Sequence, residues 1–272
     1  MTSTPAERAE RFAGLHRPGR PLLLPNPWDV GSAHLLASLG FEALATTSSG
    51  FAATLGRLDG SVTRDEALSH AAAIVAATDL PVSADFENGF ADAPEDVAGS
   101  VTLAAKTGLA GLSVEDFTRR EDDPIYDLDL AAARVAAAAG AAHAGPVRLV
   151  LTARAEGHLH GKTDLGETVA RLEAYAEAGA DVVFAPGVTA LDDVARLVAV
   201  GPPVNVLALP GAPSVAELAS VGVARVSVGG AFAFAALGAL ADAAEELRDT
   251  GTYGYWAGAQ RGRTAAGKAF PG

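Results

Sequence analysis

The chain has 272 residues, of which 49% are hydrophobic and 19% are charged, the composition of a folded globular protein. Its formal net charge of −13 argues against binding to nucleic acid or to an anionic membrane, because both require a basic face. The sequence has no cysteine, which excludes disulfides, thiolate metal sites and a cysteine nucleophile. The polar N-terminus and the lack of an uninterrupted apolar run of about 20 residues predict a cytoplasmic protein.

Eight short apolar runs recur along the chain, and each is too short to be a helix. They are rich in Val and Leu without clean alternation, which is typical of parallel strands covered on both faces. The predicted strands are 21–25, 42–47, 80–85, 111–114, 147–152, 181–185, 203–207 and 224–228.

Stretches with helical spacing and many alanines lie between these runs. The predicted helices are 29–39, 63–78, 94–107, 128–142, 166–178, 189–199, 213–220 and 231–249. Four of them end in a glycine that directly precedes a strand, which indicates a left-handed helix cap; these glycines are Gly40, Gly108, Gly179 and Gly222.

Eight strand–helix units predict an α/β protein with a closed (β/α)8 TIM barrel. We expect one domain over 1–272, with a core of about 20–250 and a C-terminal tail of about 250–272. A doubly wound open sheet is the alternative. It would be favoured by a glycine-rich phosphate-binding turn after the first strand, whereas that position holds Pro25–Asp29, which has no glycine.

Polar residues collect where the predicted strands end, which is where a barrel enzyme builds its site. Four acids converge from three strand ends: Asp59, Asp85, Glu87 and Glu115. Facing carboxylates repel each other unless a cation lies among them, and Mg²⁺ takes one or two carboxylates together with waters and substrate oxygens. The lack of histidine at these strand ends argues against zinc.

A cation and a polar turn complete the predicted mouth. Arg154 offers a planar fork for a substrate carboxylate, and the Thr47–Gly50 turn offers backbone N–H groups to an anion. The alternative for any single Asp after a strand is an ordinary helix cap. His158 and His160, after the fifth strand, are interpreted as loop residues rather than as metal ligands.

These residues resemble the isocitrate lyase / phosphoenolpyruvate mutase superfamily, from about residue 20 to about residue 250. The segments that carry the resemblance are Pro25–Asp29, Ala45–Gly50 with Asp59, Val82–Phe90, Gly111–Asp116, Leu151–Arg154, Tyr175–Asp181 and Pro203–Asn205. The resemblance implies a barrel that often exchanges its last helix between subunits of a dimer or tetramer. It also implies Mg²⁺, or Mn²⁺ in its place, and a 2-oxo acid substrate that passes through a metal-stabilised pyruvate enolate.

The resemblance also assigns roles by motif position. Asp85 would bind the metal directly, Asp59, Glu87 and Glu115 would hold its waters, and Arg154 with the Ser48 and Ser49 backbone would hold the substrate carboxylate. The candidate catalytic residues are Asp59, Glu115 and Arg154; the candidate metal ligands are Asp85, Glu87 and Glu115; the candidate substrate-binding residues are Thr47, Ser48, Ser49, Arg119, Arg120, Arg154 and Asn205.

Departures from the family pattern reduce the number of family reactions that this chain is expected to catalyse. The carbon–carbon lyases of the family use a loop cysteine after the fourth strand, and the mutases use a Lys and an Asn on the same loop. Here that loop, 117–126, holds neither motif, and its cations are Arg119 and Arg120. After the sixth strand the lyases have a glutamate where this chain has Pro186, and Glu156 stands where many members have an Asp.

The sequence therefore predicts a Mg²⁺-dependent lyase acting on a small 2-oxo carboxylate, by oxaloacetate-type decarboxylation or C–C cleavage. Phosphonate P–C chemistry and a non-catalytic barrel that binds a 2-oxo acid are the alternatives. We expect the loop after the fourth strand to close as a lid, with Arg119 and Arg120 on the distal end of the substrate. The apolar region 229–247 predicts contact with another subunit.

Overall fold

A computed structural model describes residues 3–270. Eight short strands occur at the eight predicted positions. They are β1 (Leu22–Leu24), β2 (Leu44–Ala45), β3 (Val82–Asp85), β4 (Gly111–Glu115), β5 (Val150–Arg154), β6 (Val182–Phe184), β7 (Val204–Leu207) and β8 (Arg225–Ser227).

All seven strand pairings in the sheet are parallel, and the strand order is β1-β8-β7-β6-β5-β4-β3-β2. The ring is completed where the Ala45 N–H donates to the Pro25 carbonyl at 3.0 Å. The predicted (β/α)8 barrel is therefore confirmed, and the carboxyl ends of all eight strands meet at one mouth.

The helices surround this ring. They are α1 (Pro5–Leu15), α2 (Val30–Ser38), α3 (Ser48–Thr54), α4 (Arg64–Ala76), α5 (Pro94–Ala105), α6 (Leu128–Ala144), α7 (Leu165–Glu177), α8 (Leu191–Val198), α9 (Val215–Ser220), α10 (Ala231–Thr250) and α11 (Trp256–Ala269). The eight predicted helices are confirmed, whereas α1, α3 and α11 were not predicted. Among residues 3–270, none of the helices has both the length and the apolar character that a membrane span requires.

Local signals in the sequence account for the helix boundaries. The Asp29 carboxylate accepts a hydrogen bond from the Ser32 N–H at 2.6 Å, and Thr63 caps α4 through the Glu66 N–H. The four predicted helix-ending glycines have φ between +85° and +101°, a backbone conformation that residues with a Cβ rarely adopt. Each of these four helices therefore ends just before its glycine, where the chain turns back into the sheet.

Helix α1 covers the amino-terminal end of the barrel. Phe12 on α1 is fully buried and packs in one cluster with Leu22, Leu24 and Val150, which line the barrel at that end. Apolar side chains thus fill much of this end, and most of the polar side chains gather at the opposite end, where the strands terminate.

The C-terminal helices leave a large apolar surface uncovered. In α10 only Ala233 is buried, while Leu240 is 65% exposed. Leu23, on the outward face of β1, is 43% exposed, although the outer face of a barrel strand is normally covered by a helix. The same chain thus carries an uncovered strand face and an apolar helix with little to pack against.

We predict that the protein is a dimer or tetramer in which these surfaces are buried between subunits, with the last helices exchanged. Light scattering at micromolar concentration should give a multiple of the 27.3 kDa chain mass. Leu240→Asp should shift the population toward monomer, because it places a charge in the apolar contact. Leu58→Asp, at a loop residue that is 86% exposed, is the matched control and should leave the mass unchanged. A wild-type protein that is strictly monomeric would contradict the prediction.

Candidate active site

The mouth of the barrel holds one cavity with two lobes. The inner lobe, of about 190 Å³, reaches into the barrel and is lined by Thr47, Asp85, Asn205, Arg225 and Ser227 among others. The outer lobe, of about 250 Å³, lies above it and is lined by Glu87, Glu115, Phe117, Arg119 and His160 among others. Ser48, Asp59 and Arg154 line both lobes, so the two are continuous.

Arg154 lies at the junction of the lobes and binds three carboxylates. Its Nη1 is 2.7 Å from Asp85 Oδ1, and its Nη2 is 3.2 Å from Glu115 Oε2 and 2.7 Å from Glu156 Oε1. Glu115 and Arg154 are register partners on β4 and β5, which brings their side chains together. The guanidinium also lies 5.4 Å from the ring centroid of Phe184. Its orientation is therefore fixed from several sides before any substrate binds.

Asp85 connects this ion-pair cluster to the loop after β2. Its Oδ2 accepts a hydrogen bond from the Ser48 N–H at 3.0 Å, and its own N–H donates to Thr46 Oγ1 at 3.0 Å. The prediction of a turn at Thr47–Gly50 was wrong, because Thr47 caps a helix that begins at Ser48. The Ser48 N–H that was expected to face a substrate anion is bonded to Asp85 instead.

A second ion pair, between Glu87 and Arg119, lines the outer lobe. Arg119 also donates from Nη1 to the Gly60 carbonyl at 3.3 Å, so it links the loops after β2, β3 and β4. Glu87 and Arg119 have φ of 48° and 64°, and these left-handed conformations are costly for residues with a side chain. Such strain persists only where surrounding contacts enforce it, and it is commonly found at functional sites.

The site holds more negative than positive charge. Its five carboxylates outnumber its three guanidinium groups, those of Arg119, Arg154 and Arg225; the carboxylates are Asp59, Asp85, Glu87, Glu115 and Glu156. Burial raises the pKa of Glu87 to about 7, with Arg119 opposing the shift and the neighbouring Asp85 and Asp59 adding to it. Burial likewise raises the pKa of Glu115 and of Glu156, although Arg154 opposes both shifts. The cluster therefore favours either a proton or an added cation.

These shifts predict that metal-free protein loses stability as the pH rises from about 5 to about 8. A carboxyl whose pKa is raised by folding stabilises fully below its unfolded value of 4.5, and this stabilisation is lost as the pH passes its folded value of about 7. Glu87 alone corresponds to a loss on the order of 3 kcal/mol. Urea unfolding in EDTA across this range measures it.

The Glu87→Gln variant should flatten this pH dependence, because it removes the titrating group while keeping the size of the side chain. Glu121→Gln, at an exposed position of the neighbouring loop, is the control and should retain the wild-type slope. A wild-type free energy of unfolding that is constant or rises over the range would contradict the prediction.

A buried network behind the site was not predicted from the sequence. The Asp116 carboxylate accepts hydrogen bonds from the Glu156 N–H at 2.8 Å and from the Tyr175 hydroxyl at 2.6 Å. Arg171 Nη1 lies 3.2 Å from the same carboxylate and donates to the Tyr126 carbonyl at 2.9 Å. Asp116 thereby ties the end of β4 to the end of β5, which positions Glu156 against Arg154. The Val-Glu-Asp segment was the available signal, since Asp116 directly follows a predicted site residue.

The structure brings most, but not all, of the predicted site residues together. The residues found at the cavity are Thr47, Ser48, Ser49, Asp59, Asp85, Glu87, Glu115, Arg119, Arg154 and Asn205. Arg120 lies outside both lobes, where it pairs with Asp92 at 3.5 Å and with Asp123 at 3.7 Å. It does not lie where the predicted distal pocket for the substrate requires it.

The segment after β4 lies over the outer lobe as a short hairpin. Phe117 and Ile125 form an antiparallel bridge, and the Thr118 N–H donates to the Pro124 carbonyl at 2.8 Å. The Phe117 ring stacks on His160, with centroids 4.0 Å apart. His160 therefore forms part of the wall of the outer lobe, whereas His158 is bonded to Thr168.

Fold and site together define a barrel of the isocitrate lyase / phosphoenolpyruvate mutase superfamily. The family described as phosphoenolpyruvate phosphomutase matches residues 12–248, and the chain belongs to that family. The resemblance on which the sequence analysis relied is thus confirmed. Similar proteins include 2-methylisocitrate lyase of Escherichia coli and a solved structure of oxaloacetate acetylhydrolase.

Three similar proteins show how far the likeness extends. A solved structure of a candidate lyase/mutase from Burkholderia cenocepacia J2315 is 54% identical, with a TM-score of 0.89, over 92% of this chain and 91% of that one. An uncharacterised protein of Mycobacterium tuberculosis is 37% identical over 88% of this chain and 89% of its own length. The oxaloacetate decarboxylase of Chromohalobacter salexigens is 31% identical over 82% of this chain and 79% of its own length.

Proposed function

We propose that the protein is a divalent-metal-dependent lyase that acts on a small 2-oxo carboxylate, by oxaloacetate-type decarboxylation or C–C cleavage through a pyruvate enolate. The observation that carries this proposal is the contact of Arg154 with Asp85 and Glu115 at the junction of the two lobes. It places a carboxylate-binding fork beside an excess of acidic oxygens. The similarity to an oxaloacetate decarboxylase supports the same class of substrate.

The donor set fits Mg²⁺ or Mn²⁺. The acids at the mouth supply oxygen ligands. Burial raises the pKa of Glu87 and of Glu115, and the neighbouring carboxylates add to both shifts, which supports a site that accepts an added cation. Within residues 3–270, no three acidic or histidine side chains come together as a complete metal-binding group. Mg²⁺ does not require such a group, because it keeps several waters and binds one or two carboxylates directly. Asp85 would be the direct ligand, with Asp59, Glu87 and Glu115 reaching the ion through water.

Each remaining residue has a task in this proposal. When bound, the ion would supply positive charge that stabilises the oxyanion developing on the substrate. Arg154 would exchange part of its carboxylate contacts for the substrate carboxylate and orient it. Asn205 and the hydroxyls of Thr47 and Ser49 line the inner lobe, where they would hold the pyruvoyl end. The hairpin at 117–126 would exclude water from the reactive enolate.

Phosphonate P–C chemistry is the second candidate, favoured by the family match over residues 12–248. It requires residues that manage the phosphoryl group at the outer lobe. The cation that lines this lobe beside Arg154 is Arg119, which is paired with Glu87. The first candidate needs no such group, because decarboxylation requires only an electron sink and a proton for the enolate.

Pyruvate release should be measured with oxaloacetate, phosphonopyruvate and 2-alkylmalates, each with Mg²⁺ and with EDTA. We expect turnover of the carboxylic substrates in Mg²⁺, its loss in EDTA, and its recovery on addition of Mg²⁺ or Mn²⁺. Turnover that survives EDTA would contradict the metal dependence. Release of pyruvate from phosphonopyruvate alone, or its isomerisation to phosphoenolpyruvate, would favour P–C chemistry. Binding with neither reaction would favour a non-catalytic barrel that binds 2-oxo acids.

The location, the oligomeric state and the binding partners of the protein are also proposals. We propose a cytoplasmic homo-oligomer whose partner is a small-molecule substrate, without nucleic acid or membrane as binding partners. The formal net charge of −13 is the observation that supports the last two points.

A further inference from the structure

Arg225 is a buried cation that the proposed reaction does not use. It is the first residue of β8, its register partner on β7 is Asn205, and it is only 4% exposed. Its side chain lines the inner lobe, so it lies within the barrel, below the acidic mouth. Arg225 was not predicted as a site residue, because an arginine in a short apolar run gives no sign of which way its side chain points.

The nearest polar partner of Arg225 is neutral. Arg225 Nη1 lies 3.2 Å from His16 Nε2, and His16 Nδ1 lies 2.8 Å from the Phe12 carbonyl. With its proton on Nδ1, His16 donates a hydrogen bond to the Phe12 carbonyl, and its Nε2 is free to accept a hydrogen bond from Arg225. Burial, and then the charge of Arg225, lower the pKa of His16 to about 3, so the imidazole carries no charge at neutral pH.

Arg225 therefore lacks a counter-ion in the protein itself. No carboxylate of residues 3–270 lies within 4.0 Å of its guanidinium, and its Nε has no hydrogen-bond partner there. Burial, and then the positive charge of Arg154, lower the pKa of Arg225 to about 9. It is still a cation at neutral pH, and an unpaired buried charge is strongly destabilising.

The cavity next to Arg225 is suited to a small anion. The hydroxyls of Ser83, Ser113 and Ser227 line the same lobe and can donate hydrogen bonds. The lobe of about 190 Å³ has several times the ~30 Å³ share of one liquid water molecule. A water bound there would satisfy hydrogen bonds, but it would leave the charge of the guanidinium uncompensated.

We propose that the floor of the inner lobe is a binding site for a small monoanion, held by Arg225 and the serine hydroxyls that line the lobe. The chemistry is that of a single negative charge with hydrogen-bond acceptors, which a free halide and a carboxylate group both provide. Binding of a free halide at this site would be independent of the proposed function. Binding of a substrate carboxylate there rests on the proposed function, since the proposed substrates are organic acids.

The test begins with the wild-type protein crystallised with sodium bromide and, separately, with oxalate and Mg²⁺. We expect either an anomalous bromide peak or a carboxylate of oxalate in contact with Arg225. If both crystals hold only water at Arg225, the proposal is wrong. Neither crystal depends on a variant that folds, and neither requires turnover, so failure of the proposed function is distinguishable from failure of this site.

Thermal unfolding shows whether the anion acts through Arg225. At about ten times its dissociation constant, an anion that binds only the folded protein raises Tm by a few degrees. The probe from the crystals should produce this rise in wild type relative to sodium gluconate at equal ionic strength, and the rise should vanish in Arg225→Met. Arg248→Met, at an exposed arginine paired with Asp249, is the matched control and should keep the rise. An equal rise in all three proteins would overturn the proposal.

Two further measurements address a variant that fails to fold and the identity of the bound anion. If Arg225→Met does not fold, Arg225→Lys replaces it, and a smaller rise than in wild type is then expected, because lysine keeps the charge but loses the fork. Oxalate titrated by calorimetry in bromide and in gluconate identifies the source. Weaker oxalate binding in bromide means that an organic carboxylate occupies the floor, and equal binding means that the floor is a separate halide site; each result supports the monoanion site.

Discussion

Replacing Asp85 by alanine is expected to lower kcat/KM for the proposed substrate by about two to three orders of magnitude, the range seen when one essential electrostatic group is removed. Asp85 is the proposed direct metal ligand, and it also holds Arg154 Nη1 at 2.7 Å and the Ser48 N–H at 3.0 Å. Its loss therefore removes the metal contact and frees the carboxylate-binding fork at the same time.

The fold itself should tolerate Asp85→Ala, because Arg154 retains its contacts with Glu115 and Glu156. The pyruvate assay measures the loss of activity, and circular dichroism with thermal unfolding shows that the variant is folded. Asp92→Asn removes a carboxylate that lies near the mouth but is mostly exposed, and it should remain within a few-fold of wild type. An Asp85→Ala variant with activity within tenfold of wild type would refute the assignment.

The barrel could be predicted because its signals are local. Each strand is a short, mostly apolar run, and four of the returns to the sheet follow a capping glycine with positive φ, as at Gly179. Parallel strands end on one side of a sheet, so the chain order alone placed Asp85, Glu115 and Arg154 together.

The parts that could not be predicted depend on backbone detail or on contacts between distant segments. The pairing of Glu87 with Arg119 requires left-handed backbone at both residues, which neither residue type favours. The contact of Glu156 with Arg154 depends on Asp116, which holds the Glu156 backbone from the neighbouring strand. Helix α11 is rich in Ala and Gly and packs mainly on α2, more than 200 positions earlier in the chain, so its sequence carries no strong apolar period.

Replacing Arg154 by lysine is expected to raise KM for the 2-oxo acid by about ten- to a hundredfold. Lysine keeps the positive charge but has no planar fork, so it cannot bind a carboxylate through two parallel hydrogen bonds. A hydrogen bond to a charged group contributes roughly 1.5–3 kcal/mol, which corresponds to this range of affinity. The loss of an ordered arginine beside Phe184 also removes packing that orients the fork.

Lysine at this position also cannot span the carboxylates that Arg154 joins, Asp85, Glu115 and Glu156. We therefore expect kcat to fall as well, since the acids that position the metal lose their shared partner. Steady-state kinetics on the carboxylic substrates separates the two effects. Arg120→Lys, at an arginine that lies outside both lobes, is the matched control and should change neither constant. If KM were unchanged in Arg154→Lys, the fork of Arg154 would not hold the substrate carboxylate.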